Sequence, residues 1–195
     1  MDFVTYSILI QVLLIGVSQS FLVSTDGCMA PPPSSNFTNA RYYGLWYEVG
    51  KIQTAGGGYF EKDCVCTTIG VTPKSGATNG DATAFNSCRK LSPTGEFLNA
   101  TGALTGEVVP GHWKEGFFFL APKADYTVIY LDDNYAIEYD CTSAFFMTNY
   151  CIHLLSRKPT ADAAAVKMLL DFANSLQLNT QKLTYQATMQ SGCWS

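Results

Sequence analysis

Short runs rich in aromatic and β-branched residues recur from Tyr43 to Ser156, each ended by a turn-forming cluster. This pattern predicts strands at Tyr43–Ile52, Cys64–Thr72, Thr83–Leu91, Phe97–Glu107, Trp113–Ala121, Tyr126–Leu131, Tyr135–Cys141 and Thr148–Ser156. Thr78-Asn79-Gly80-Asp81, Ser92-Pro93-Thr94-Gly95 and Pro110-Gly111 supply short turns between them. Consecutive antiparallel strands joined by short turns can close into an up-and-down barrel, which leaves no free sheet edge. A two-sheet sandwich is the competing architecture. Helical spacing takes over after Pro159: Thr160 can cap a helix over 161–172, with Val166, Leu169, Leu170 and Ala173 on one face. That face should pack on the barrel's exterior, and a short strand over 182–186 should follow. The expected fold class is all-β, an eight-stranded antiparallel up-and-down β-barrel with one C-terminal α-helix packed on its outside.

The first twenty residues differ in kind. Ile8 to Val17 is apolar apart from Gln11, and Ser18 and Ser20 are the small residues a signal peptidase requires. Residues 1–20 are expected to be a removed signal peptide, leaving 21–195 as a single secreted, extracellular domain. Residues 21–40, with Pro31-Pro32-Pro33, should be irregular. No later apolar run is long enough for a membrane span. The net charge of −4 and the absence of any basic run argue against nucleic acid and against a polybasic membrane patch. Charged residues make up 14% of the chain against about 25% in typical domains, which suits a lined cavity as well as a core. All seven cysteines follow the leader, so disulfides are expected. Sequons at Asn36 and Asn99 predict glycosylated surface loops.

Gly44-Leu45-Trp46-Tyr47-Glu48-Val49 opens the first strand, and Arg157 ends the last. A guanidinium can lie on an indole face and shut one end of a barrel, leaving a cup. With these residues in this order, the chain resembles the lipocalin family, and within it the apolipoprotein D group, over roughly residues 26–193. The Gly-x-Trp motif matches at Gly44 and Trp46, and the closing arginine at Arg157. The second family motif, Thr-Asp-Tyr, is degraded to Leu131-Asp132-Asp133. The resemblance implies a carrier of a small hydrophobic ligand of the fatty acid, steroid, tetrapyrrole or carotenoid class. It also implies disulfides Cys28–Cys141 and Cys64–Cys193. Of the remaining cysteines, Cys66 and Cys88 lie opposite one another in a hairpin centred near Ala77, and so can bridge. Cys64 and Cys66 would then share the outer face. Val65, Thr67, Ile69 and Val71 would point inward, with Phe85 and Ser87 across the hairpin.

The expected ligand contacts are Trp46, Glu48, Val65, Thr67, Ile69, Phe85, Phe117, Phe119, Tyr126, Val128 and His153. Glu48 and His153 are the candidates to orient a polar end. Gly50 should share the inner face of Glu48, and Tyr130 that of Val128. Gly56-Gly57-Gly58 reads as a lid over the mouth or as a plain flexible turn. Cys151 and His153, two apart on one strand, raise the alternative of a thiol-dependent isomerase or peroxidase. A filled barrel acting through its surface is a third reading. No catalytic residue and no cofactor is assigned. No metal is expected, because neither His112 nor His153 has a ligand cluster near it in sequence. The oligomeric state is left open.

Overall fold

The computed structural model describes residues 27–55, 61–118, 120–144 and 147–194. The expected signal peptide, Gly56-Gly57-Gly58 and Phe119 lie outside the described residues. Eight antiparallel strands form the wall: β1 Gly44–Gln53, β2 Cys64–Pro73, β3 Ala82–Lys90, β4 Phe97–Val109, β5 His112–Gly116, β6 Ala124–Leu131, β7 Tyr135–Ala144 and β8 Met147–Ser156. Each pairs with the next in sequence, and β1 pairs with both β8 and β2, so the sheet closes on itself. A short helix, α1 (Asn39–Tyr42), precedes the wall, and α2 (Ala163–Ser175) and β9 (Gln186–Ala187) follow it. The barrel expected from the strand pattern is therefore present, and the sandwich is excluded. The main departure in extent is β5, which ends at Gly116 and releases Phe117 from the strand.

One end of the barrel is solid. Trp46, Trp113, Tyr42 and Phe37 pack together with Ile69, Val71, Leu104, Val128 and Leu155. Phe37 and Tyr126 stand edge to face against Trp113 at centroid distances of 5.6 and 5.8 Å, and Tyr42 stacks on it. The Arg157 guanidinium carbon sits 3.5 Å from the centre of the Trp46 ring. Its nitrogens donate to the carbonyls of Leu45, Arg41 and Tyr43, while Trp46 Nε1 donates to Tyr42 O at 2.7 Å. Gly44 takes φ +107°, and a side chain there would press on the Arg157 guanidinium at 3.2 Å, so the motif glycine has two reasons to be glycine. The surviving motif residue Asp132 accepts from the Asn134 and Tyr135 amides and shapes the turn before β7. α1, capped by Thr38, carries Tyr42 under this stack, so the stretch expected to be irregular to residue 40 ends in a helical turn.

On the outer face, Ile52, Ile137, Tyr139, Ile152 and Leu154 form a second core under α2. Leu169 and Ala173 are the fully buried residues of the helix, with Val166 and Leu170 partly so, as the helical spacing predicts. Asp162 rather than Thr160 is the N-cap, accepting from the Ala165 amide at 2.6 Å.

The wall is completed by the tail. β2 bonds to β1 only across Gly44–Tyr47. Beyond that point the strands part, and β9 pairs with Gly50 and Lys51 in the gap. Cys66 N donates to Met189 O, and Gln190 Nε2 donates to the carbonyls of both Glu48 and Thr67 at 2.8 Å, bridging the two strands.

The disulfides are Cys28–Cys141, Cys66–Cys193 and Cys64–Cys88, with Cys151 free. The first is the expected pair, and the other two exchange partners relative to expectation. The cause is a bulge in β2: Val65 pairs with Arg89 but Thr68 with Ser87, and Cys66 has φ +58°. Cys64 and Cys66 are thereby turned to different partners, Cys66 to the tail and Cys64 to Cys88. Beyond the bulge Thr67, Ile69 and Val71 keep the inner face, as expected, but their partners in β3 move by one residue, so Ile69 opposes Asn86 and Val71 opposes Ala84, and the faces of β3 are exchanged. Phe85 opposes Gly70 and is 43% exposed, so it does not face the interior as expected.

Two expectations follow. Trp46→Ala should cost about 3–5 kcal/mol in urea unfolding, the usual cost of deleting a buried large aromatic; unchanged stability would remove the plug assignment. The double change Cys66→Ser with Cys193→Ser should lose about 2–4 kcal/mol by releasing the tail from the seam. Amides of 186–190 should then lose hydrogen-exchange protection; a tail still protected would mean the seam holds without its covalent tie.

Candidate functional site

The open half of the barrel encloses a cavity of about 310 Å³. Its outer wall near the strand ends carries Leu98, Ala100, Phe117, Pro122 and Ala124. Deeper in, Thr67, Asn86, Glu115, Glu138, Asp140, Cys151 and His153 line it, and Glu61 contributes from the connection after β1. Of the residues expected from sequence to touch a ligand, Thr67, Phe117 and His153 line the cavity. Trp46, Ile69, Tyr126 and Val128 face the interior but fill the solid end. Val65 is half-buried and is not part of the lining. Phe85 is on the outside. Asn36 is an exposed turn residue, whereas Asn99 is exposed at the cavity rim within β4 rather than in a loop.

Bulges also reshuffle β1 and β6. In β1 the register breaks between Glu48 and Gly50, so Glu48 opposes Leu155, while Gly50 opposes Leu154 and Lys51 opposes His153. Leu154 belongs to the core under α2, so Gly50 does not share the inner face of Glu48; Lys51 takes that place. In β6 the break between Val128 and Tyr130 sends Tyr130 outward, where its ring packs on Phe172 of α2.

Glu48 is fully buried but is not in the cavity lining, because its oxygens are already taken. Oε2 is 2.6 Å from His153 Nδ1, Oε1 is 3.2 Å from Lys51 Nζ, and the Thr188 hydroxyl of the tail also donates to Oε1. Lys51 in turn reaches Glu61 at 3.1 Å. Burial works against the Glu48 carboxylate, yet Lys51 and His153 outweigh it and hold Glu48 at about 2. Burial likewise opposes the charges of Lys51 and His153. The surrounding partners overcome it and raise both, with the Glu48 and Glu61 carboxylates acting on Lys51, and the Cys151 sulfur with Glu61 and Glu48 on His153. Glu48 thus orients His153 rather than facing a ligand. Sequence reading found no cluster around either histidine. Folding assembles two around His153, one with Glu48 and Glu61 and one with Glu138 and Asp140. Glu48 comes from β1, Glu61 from the connection after it, and Glu138 and Asp140 from β7, so apart from that last pair no local spacing announces them.

Three further carboxylates stand deeper in the cavity. Glu138 accepts from the hydroxyls of Tyr126 at 2.7 Å and Tyr42 at 3.2 Å. Glu115 lies against Gly102, where any side chain would collide with its carboxylate. Burial, reinforced by Glu138, raises Glu115 to about 8. Burial, then Glu138 and Glu115, raise Asp140 well above the usual carboxylate range. Burial also pushes up the Cys151 thiol, whose Sγ donates to Gln53 Oε1 at 3.7 Å. A neutral, buried thiol is a poor nucleophile.

A group that holds its proton more tightly when folded supports folding fully below its unfolded pKa and loses that support as pH rises through its folded pKa. For Glu115 that window runs from about 4.5 to about 8. Glu115→Gln should therefore raise the urea midpoint at pH 8 and flatten its decline between pH 5 and 8. Parallel pH profiles for both proteins would show that Glu115 is not a buried acid.

Comparison with known proteins agrees with this architecture. A family model described as a lipocalin-like domain matches residues 38–188. Apolipoprotein D of Mus musculus is 30% identical over 171 residues, covering 85% of this chain and 84% of that protein. Apolipoprotein D of Cavia porcellus is 31% identical, with the same coverage of both chains. Among solved structures, insecticyanin from the tobacco hornworm Manduca sexta superposes with a TM-score of 0.61 at 17% identity, over 83% of this chain and 85% of that one. With its Gly44–Trp46 motif, closing Arg157 and closed barrel, this chain belongs to the lipocalin family.

Proposed function

We propose that this protein is a secreted carrier that takes up a small, largely apolar molecule in its barrel cavity. The observation that carries the reading is the 310 Å³ space left open above the solid Trp46 end. Ligand pockets run to about 300–1,000 Å³, so this one is at the compact end. A single acyl chain or a steroid suits it better than a tetrapyrrole or carotenoid. Binding would draw on burial of apolar ligand surface, about 25 cal/mol per Å² before ordering costs. Three disulfides suit an oxidising extracellular setting, and the apolar leader supplies the route. Among the described residues no helix is long and apolar enough to cross a membrane. Apolipoprotein D relatives over most of the chain add to the case.

The test is saturable one-to-one binding of a neutral fluorescent apolar probe, N-phenyl-1-naphthylamine, together with native mass spectrometry of protein from its own secretory host. Ala100→Phe, which places a ring in the cavity wall, should weaken probe binding at least tenfold with the fold intact. Phe85→Ala, on the outside, should leave binding unchanged. Absence of saturable binding, or equal effects of the two changes, would reject the cavity as the binding site.

A further inference from the structure

The cavity holds more negative than positive groups. Five carboxylates surround it: Glu48, Glu61, Glu115, Glu138 and Asp140. Two cations stand among them, Lys51 and His153. Lys51 is within 3.2 Å of both Glu48 and Glu61, and His153 Nδ1 is 2.6 Å from Glu48. These four groups satisfy one another. Glu115, Glu138 and Asp140 are left facing the cavity without a committed cation among the described residues; the nearest, His153 Nε2, is 3.7 Å from Asp140.

A second, independent feature points the same way. Thr67 is 1% exposed and lines the cavity, yet its hydroxyl oxygen has no hydrogen-bond partner. One oxygen of Asp140 is also buried and unpartnered. Buried polar atoms are nearly always paired, so two orphan oxygens in one cavity mark places where a hydrogen-bonding ligand group belongs, and a donor can serve both. The unmet groups are carboxyl oxygens and a hydroxyl, every one of which can accept. What is missing is a cation with several N–H donors.

Resting on the carrier reading, we propose that the cavity selects an amphiphilic amine, with its ammonium head at Glu115, Glu138 and Asp140 and its apolar body along the outer wall. An ammonium carries three donors, which suits a head site built from three carboxyl groups. The apolar wall at Leu98, Ala100 and Phe117 leads down to these groups, so a head and a tail are accommodated in one space. A bare metal ion would leave that wall unused. A fatty acid would bring a fourth carboxylate to three that already crowd one another.

The preference should depend on pH. Glu115 is faced by Glu138 and Asp140 of β7, Cys151 and His153 of β8, Tyr126 of β6 and Glu61 beyond β1; Glu48 and Lys51 of β1 form the neutralised pair behind them. Its proton must leave to make the strongest contact with an ammonium. Ammonium affinity should therefore rise between pH 6 and 8.5, with proton uptake by buffer on binding, while a neutral ligand shows neither.

Displacement of N-phenyl-1-naphthylamine by three ligands of one chain length, all below micelle formation, tests the proposal. Dodecylammonium should bind at least tenfold more tightly than dodecanol, and dodecanoate most weakly. Glu138→Gln and Asp140→Asn should each shrink the ammonium advantage while leaving dodecanol affinity within twofold. The wild-type ranking stands as a test even if a variant fails to fold. Equal binding of the three, a preference for dodecanoate, or Zn²⁺ binding at micromolar concentration without any ammonium preference would overturn the proposal and leave the carrier intact. Failure of the probe and of all three ligands would instead remove the carrier reading.

Discussion

Arg157 lying flat on Trp46 is the contact on which the remaining architecture turns. It joins the first and last strands at one end, and its nitrogens tie down the carbonyls of α1 and the turn into β1. Once that end is solid, the bulky residues of the interior are drawn to it: Trp113, Tyr42, Phe37, Ile69, Leu104 and Val128. The other half of the barrel is left with smaller and polar side chains. The cavity exists because the aromatic volume is spent at one end.

Between the solid end and the mouth lies a layer of buried charge, which is unusual inside a β-barrel. Burying an ionised group costs several kcal/mol unless it is paired and hydrogen-bonded. Glu48, Lys51, Glu61 and His153 meet that requirement among themselves, and Thr188 of the tail adds a donor from outside the wall. Glu115 and Asp140 are not so matched, and both shift toward the protonated form. The tail is therefore more than a seal. It completes the seam between β1 and β2 and also completes the solvation of Glu48.

Backbone irregularities decide which side chains reach this layer. The bulge after Glu48 brings Lys51 inward in place of Gly50, and the one after Val128 sends Tyr130 out to the helix. The bulge at Cys66 exchanges two disulfide partners and turns Phe85 to solvent. Each inserts one residue, and in a period of two one residue inverts the faces on one side of it relative to the other. Cys66 at φ +58° is where that inversion is anchored, since its amide and its sulfur both go to the tail.

The strands, their order, the closing Trp46–Arg157 pair and the outer helix were all legible along the chain, because each rests on local periodicity or on residues with a single strong use. The hydrophobic face of α2, Val166 to Ala173, reads directly from its spacing. The inward set was legible on one side of each bulge only: Trp46 and Glu48 but not Lys51 in β1, and Thr67, Ile69 and Val71 but not Val65 in β2, with the outward turn of Phe85 following from the shifted partner strand. Bulges have no side-chain signature here, since they arise from how a closing sheet bends and from a tail more than a hundred residues away. The carboxylate cluster was invisible for a related reason. Glu48, Glu61, Glu115, Glu138 and Asp140 look like ordinary scattered acids until barrel closure brings their strands within a few ångströms, and only then does their shared burial give them a common chemistry.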